Sequence, residues 1–199
     1  LELGLTDALI TRLGRLSTLT VRPTSSVVRF AGREVSLSEA GAALKVDTIL
    51  SGGLQRTKGQ VRVTAQLVRV SDGRTLWAHT LDEKAGDVFR IEDSVSRRVA
   101  NALRLQLSGP ERRALAVQHT SNSKAYELYL RSRFFWNQRT DEALLKGIEY
   151  GEAAAAEDPA FALAHAAVAD CYVALAFFGG VPPRTAYTRV IVSAGKALA

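Results

Sequence analysis

The chain has 199 residues, 47% hydrophobic and 23% charged, with a formal net charge of +6. That composition is ordinary for a globular protein, and the length is enough for one large core or two small ones. Its single cysteine, Cys171, excludes an internal disulfide framework. No stretch has the charged start, apolar centre and small-residue cleavage site of a signal peptide. The most apolar window, residues 160–181, carries His165 and Asp170. An Asp at the centre of a membrane span costs roughly 3 kcal/mol, so this window reads as a buried helix and no membrane insertion is expected of the segment. Residues 1–118 hold 18 Lys+Arg against 12 Asp+Glu, whereas residues 119–199 hold 8 of each. The whole basic excess lies in the first part, which predicts domains at 1–118 and 119–199.

The chain opens in an amphipathic helix, with Leu5, Leu9, Leu13 and Leu16 at helical spacing and Arg12 and Arg15 turned away. No strand precedes it, so an upstream strand is expected to be missing. Leu19-Thr-Val-Arg-Pro23 predicts a short strand with Pro23 at its end or on an edge. Residues 36–45 predict a second helix, capped by Ser36 with Glu39 completing a capping box. A β meander follows. Residues 48–50 continue into Gly52 and Gly53, which fit a bulge or bend. Lys58-Gly59 is a turn, Val61, Val63, Ala65 and Leu67 alternate with polar residues, and residues 75–81 form the return strand. Asp72-Gly73 signals a two-residue hairpin with both central residues at positive φ. A long helix starts near Asp87 with Ile91, Val95, Val99, Ala102 and Leu103 on one face, and Gly109-Pro110 ends it.

Beyond the polar stretch 118–123 the pattern is helical throughout, over 124–137, 141–156, 160–178 and 184–199. Asp158-Pro159 separates the second helix from the third, because proline lacks the amide that would continue a helix and disfavours α geometry in the residue before it. Gly179-Gly180 and Pro182-Pro183 separate the last two. The fold class is therefore α+β: a two- or three-layer α/β domain, its mixed sheet carrying a β-hairpin, followed by an all-α region.

Chemistry-bearing motifs are sparse. Gly53-Leu-Gln-Arg-Thr-Lys-Gly59 lacks the Gly-Lys-Ser/Thr core of a phosphate loop and precedes a strand. His79, His119 and His165 fall in three different elements, so no metal site is expected. Cys171 reads as a small buried hydrophobe, and Ser25 and Ser26 lack a nucleophile-elbow context. No catalytic residue and no cofactor are assigned. Arg56, Arg62 and Arg69 on the hairpin, with Arg12, Arg15, Arg97, Arg98 and Arg104 on helices, leave nucleic-acid binding as the alternative function. That reading needs them to form one patch, and Trp77 is the single tryptophan the strands offer for stacking.

The second part resembles tetratricopeptide repeats, which stack helix pairs at a period near 34 residues. With Pro159 as the closing proline, Ala169 takes the small position and Tyr172 the aromatic one, matched by Ser132 and Phe135 in the pair before. Gly151, Glu157 and Arg131 depart from the pattern. The first part resembles the α/β domain at the amino end of TolB and of FlgO-like proteins. Its marks are Gly4-Leu-Thr-Asp-Ala-Leu-Ile-Thr-Arg-Leu13, Val21-Arg-Pro-Thr-Ser-Ser26, Asp47-Thr-Ile-Leu-Ser-Gly-Gly-Leu54, Val61-Arg-Val-Thr-Ala-Gln-Leu-Val68 and Asp72-Gly-Arg-Thr-Leu-Trp77, with Ala125-Tyr-Glu-Leu-Tyr-Leu-Arg131 at the junction. In bacteria such a tandem follows an effector: a winged-helix domain as in CadC-type regulators, a nucleotide cyclase or a serine/threonine kinase. The resemblance implies a non-catalytic sensory or protein-interaction segment of a bacterial regulator, a fragment of a longer chain, on the cytoplasmic or the extracytoplasmic side. It implies a groove lined by Tyr129, Arg133, Trp136, Asn137 and Asp170 that takes a protein or peptide, and self-association through the last helix. Nucleic acid is not the expected partner.

Overall fold

The computed structural model describes residues 2–33, 35–57, 60–84, 88–103, 108–117, 119–178 and 180–199. Two compact units divide the chain, one over Thr6–Val117 with Glu2, the other over the described residues from 119 onward with Leu3–Leu5. The first holds a sheet and the second is helical.

In the sheet unit, helix α1 (Glu2–Leu13) buries Ala8 and Leu13, with Leu16 buried just beyond its end. Arg12 does not turn away as its charge predicts. It is 8% exposed, lies 3.4 Å from the buried Glu92 carboxylate and donates to the Leu115 carbonyl. Residues 19–23 are not a strand either. They lead to Pro23, which opens a one-turn helix α2 (Thr24–Val27) and a 3-10 turn over Val28–Phe30. The segment is held by side chains instead of a ladder: Arg22 donates to the carbonyls of Leu44 and Lys45, and the Thr24 hydroxyl donates to Asp7 at 2.6 Å. Helix α3 (Leu37–Leu44) is capped by Ser36, whose hydroxyl accepts the Glu39 N–H, and Lys45 ends it in the left-handed region at φ 53°.

Strands β1 (Thr48–Thr57), β2 (Gln60–Arg69) and β3 (Thr75–Lys84) form an antiparallel sheet in the order β1-β2-β3. The mixed sheet expected from sequence is thus all-antiparallel among the described residues, because residues 19–23 contribute no strand to it. Gly52 and Gly53 sit in unbroken register opposite Ala65 and Thr64, and the irregularity lies at Leu67/Val68 between β2 and β3. The requirement at Gly52 is proximity: a Cβ there would lie 2.2 Å from the Thr64 carbonyl oxygen. The connection between β2 and β3 is wider than a two-residue turn, since the Arg69 N–H pairs with the Arg74 carbonyl and positive φ occurs at Gly73 alone. Lys58-Gly59 and Asp87 lie outside the described residues.

Val61, Val63, Ala65 and Leu67 bury one face of the sheet, against which α4 (Val88–Ala102) packs through Ile91, Val95 and Val99. Arg62 and Thr64 alternate onto the other, exposed face. Gly109-Pro110 does not close a helix but opens one, α5 (Gly109–Ala116). Ser108 and Glu111 form a reciprocal capping box, with Pro in the first turn where no amide partner is needed.

Glu111 also accepts from the backbone N–H and hydroxyl of Ser17 at 3.1 and 2.8 Å. These donors, Ser108 first and then Ser17, hold its carboxyl down at about 2 from the ordinary 4.5. A depressed folded-state value contributes stability that is full above pH 4.5 and lost as pH falls through about 2. Denaturant titrations between pH 7 and 3 should therefore show Glu111→Gln flattening part of the acid-side loss of stability. An unchanged pH slope would remove this assignment.

In the helical unit, α6 (Ser123–Trp136), α7 (Asp141–Glu157), α8 (Ala162–Phe178) and α9 (Pro183–Leu198) each pack on the next, and α6 also packs on α8. Leu144, Ile148, Val168, Cys171, Ala174 and Leu175 form one cluster of its core. Close helix approach accounts for the glycines of α7. A Cβ at Gly147 would lie 2.8 Å from Cys171 Sγ, and one at Gly151 2.7 Å from Val168 Cγ2. The Asp158-Pro159 junction anchors the start of α6 as well. Thr120 donates to the Asp158 carboxylate at 2.5 Å, and the Asn122 amide donates to the Glu157 carbonyl at 3.0 Å. Among the described residues no helix is long and apolar enough to cross a membrane.

Candidate functional site

The last turn of α6 and the loop after it build the most chemically distinctive surface of the helical unit. Arg133 Nη1 donates to Asp170 Oδ2 on α8 at 2.9 Å. The Arg133 guanidinium lies 4.1 Å from the centroid of the Trp136 ring, and the Trp136 indole N–H donates to the Asp170 carbonyl at 3.3 Å. Trp136 rests against the core of this unit. A second guanidinium, that of Arg139, lies 3.5 Å from the same ring centroid. Arg139 is exposed and holds φ at 57°, a left-handed conformation that is uncommon without a glycine.

Of the five residues assigned to the groove from sequence, the structure brings Arg133, Trp136 and Asp170 together and turns two inward. Tyr129 is 8% exposed, 5.3 Å centroid to centroid from buried Phe161 and stacked on Tyr126 at 5.7 Å. Asn137 is 9% exposed, and its amide donates to the Arg133 carbonyl at 2.8 Å, closing the end of α6. Tyr129 therefore supports the surface from beneath, and Asn137 fixes the turn of backbone that carries Arg133. Arg139 was not assigned from sequence. An arginine three residues past a helix-terminal tryptophan is the signal that was available.

Cys171 lies one residue from Asp170 but faces the core. Burial pushes its thiol up to about 12, against a smaller opposing pull from Arg133. Native protein at pH 8 should react with a disulfide reagent roughly a hundredfold or more slowly than unfolded protein, because the thiolate is scarce and covered. Rapid stoichiometric labelling of the folded chain would overturn that.

Two arginines of the strands are engaged with acids. Arg62 makes a two-point pair with Asp82 at 2.7 and 2.9 Å, and Arg69 bonds Asp72 at 3.0 Å, so the exposed sheet face is closer to neutral than the arginine count implies. Asp72 and Asp82 are both held below the usual carboxylate range. For Asp72 the Arg74 backbone N–H is the main cause, and for Asp82 the Arg62 side chain. A depression of about 520 Å³ over the strands is lined by Ser51, Gly52, Thr64, Ala65, Gln66, Ala78, His79 and Thr80, with His79 the one titratable side chain in that lining. Among the described residues no three His, Cys, Asp or Glu side chains converge as metal ligands.

These features define a two-unit α+β chain whose distinctive site is an arginine–tryptophan–aspartate surface on helices. No family model matches the chain. Over 130 residues, 65% of its length, it is 31% identical to a protein of Rhizobium meliloti (strain 1021) named "Putative adenylate cyclase 3". The chain spans about a fifth of that relative, 22% of its length.

Proposed function

We propose that the chain is a non-catalytic sensory and protein-interaction segment of a bacterial signalling or regulatory protein, and that its helical unit docks a protein or peptide. The observation that carries this reading is the Arg133–Trp136–Asp170 surface with Arg139 beside it, set on helices that pack successively. Aromatic and arginine side chains are the groups most enriched at binding hot spots. The packing order supports the tetratricopeptide-like reading, since stacked helix pairs contact only their neighbours and expose one continuous surface. The cyclase-named relative, of which the chain spans 22%, supports a signalling context.

A photo-crosslinking amino acid at position 139, used in bacteria that produce the chain, should give discrete protein adducts that Trp136→Ala abolishes. Absence of any discrete adduct would count against docking. Incubation of the purified chain with ATP or GTP and a divalent cation should yield no cyclic nucleotide, and turnover would overturn the non-catalytic assignment. The proposal extends to self-association through α9, where Tyr187, Ile191, Val192 and Leu198 are exposed, Ile191 at 72%. Sedimentation equilibrium should show a concentration-dependent mass that Ile191→Glu removes, whereas a strict monomer at millimolar concentration would end that part.

A further inference from the structure

We infer that the outer edge of β3 is an interface between two copies of this chain: β3 of a second copy pairs with it antiparallel about a twofold axis at Thr80, joining two three-stranded sheets into one. Strand β3 ends the order β1-β2-β3 and pairs on one side only. Which of its backbone groups are left over follows from the ladder. The Arg69 N–H bonds the Arg74 carbonyl, whereas the Val70 N–H bonds the Asp47 carbonyl on the β1 side. Backbone groups alternate in direction along a strand, so the odd-numbered residues of β2 from Val61 to Arg69 serve β3. The partners of Val61, Val63, Ala65 and Leu67 are Glu83, Leu81, His79 and Trp77. The N–H and C=O groups of Ala78, Thr80 and Asp82 therefore point away from the sheet, and among the described residues no backbone group meets them. All three residues are exposed.

An open edge of this kind is usually blunted by proline, by lysine or by a bulge. Strand β3 has no proline, its one lysine is Lys84 at the last position, and the ladder irregularity lies at Leu67/Val68, beyond Trp77. From Trp77 to Lys84 the ladder is regular, and the free groups there are self-complementary. With Thr80 opposite Thr80 of the second copy, Ala78 of each copy stands opposite Asp82 of the other. Each opposed pair then exchanges both of its N–H···O bonds. No other register maps these three residues onto themselves. Moving the axis toward Asp82 brings the two Asp82 carboxylates together, and like charges directly opposite destabilise a strand pair. On the Thr80 axis they stand about 14 Å apart along the strands, beyond a Debye length of about 8 Å. The Asp82 side chain keeps its two-point pair with Arg62, because the exchange uses its backbone alone. A contact of this strand with itself about a twofold axis closes at two copies.

The test uses the whole chain carrying Ile191→Glu, which removes association through α9. Sedimentation equilibrium up to roughly 1 mM should still show a monomer–dimer equilibrium, as expected of a small interface. Thr80→Lys in the same background should weaken it several-fold or more, because two like charges then oppose each other on the axis. Thr64→Lys, at an exposed position of β2 on the same face, should leave it unchanged. Thermal melts verify that both variants fold. Residue-resolved amide exchange gives an independent readout. Ala78, Thr80 and Asp82 should exchange several-fold more slowly at roughly 1 mM than at roughly 10 μM, while the inward-bonded His79 and Leu81 change little.

A strict monomer at roughly 1 mM in the Ile191→Glu chain overturns the inference, since the edge then takes no second copy at the concentration where a small interface forms. Association that Thr80→Lys leaves intact overturns it too, as does a dimer whose three outward amides exchange as fast as in the monomer. None of these outcomes touches docking by the helical unit, which the crosslinks from position 139 report. Association that survives Ile191→Glu and disappears with Thr80→Lys supports the edge and counts against the α9 route.

Discussion

Replacing Arg12 with Met should lower the unfolding free energy by about 3–5 kcal/mol, the usual loss when one partner of a buried ion pair is removed. Arg12 and Glu92 are 8% and 6% exposed, so the truncation leaves a carboxylate in the interior. It also removes a donor from the Leu115 carbonyl. Replacing both members, as in R12M/E92L, should recover more than half of the loss, because an apolar pair of similar volume needs no mutual compensation. Urea denaturation of the wild type and the three variants gives the cycle directly. A single variant as stable as the wild type would show that the pair is not buried as described.

Phe161→Ala should be comparably costly, at about 3–5 kcal/mol, through lost burial and the cavity left behind. Phe161 is fully buried just before α8 and meets both Tyr126 and Tyr129 of α6, at 6.2 and 5.3 Å between ring centroids. The expected signature is a large drop in stability of the helical unit. A loss below about 1 kcal/mol would mean that the two tyrosines close the gap, which the measured spread for core truncations allows only where a site collapses well.

Much of the framework was legible because periodicity reports burial. The alternation of Val61, Val63, Ala65 and Leu67 and the stripe Ile91, Val95 and Val99 follow from spacing, and the four helices after residue 119 from the Asp-Pro and Gly/Pro breaks between apolar runs. What failed has local physical causes. Arg12 was turned outward because a charge is normally solvated, and spacing cannot reveal that Glu92, eighty residues away, meets it in the interior. Gly109-Pro110 was read as a stop, although Ser108 with Glu111 three residues later is a helix-start signature and proline suits the first turn. The strand expected at residues 19–23 rests on a five-residue pattern whose hydrogen bonds are settled by tertiary partners, chiefly Arg22 with the end of α3.

The site was legible to a similar degree. The sequence sets Tyr129, Arg133 and Trp136 at the spacing of one helical stripe. It could not show that Phe161 covers the first of them while Asp170 meets the second. Arg139 escaped because its position depends on a left-handed backbone that no neighbouring glycine announced.

The bonds that join the ends of the sheet unit bear on how fast the chain folds. Arg12 reaches Leu115 across 103 residues and Ser17 reaches Glu111 across 94, whereas Thr120, just before α6, meets Asp158 across only 38. Folding rates fall as contacts become more distant in sequence, because the loop must close before the contact repays it. The helical unit should therefore acquire structure first, and the slow phase of refolding should belong to the return of α1 onto α4 and α5. In stopped-flow refolding, Arg12→Met should alter that slow phase and leave the fast one unchanged.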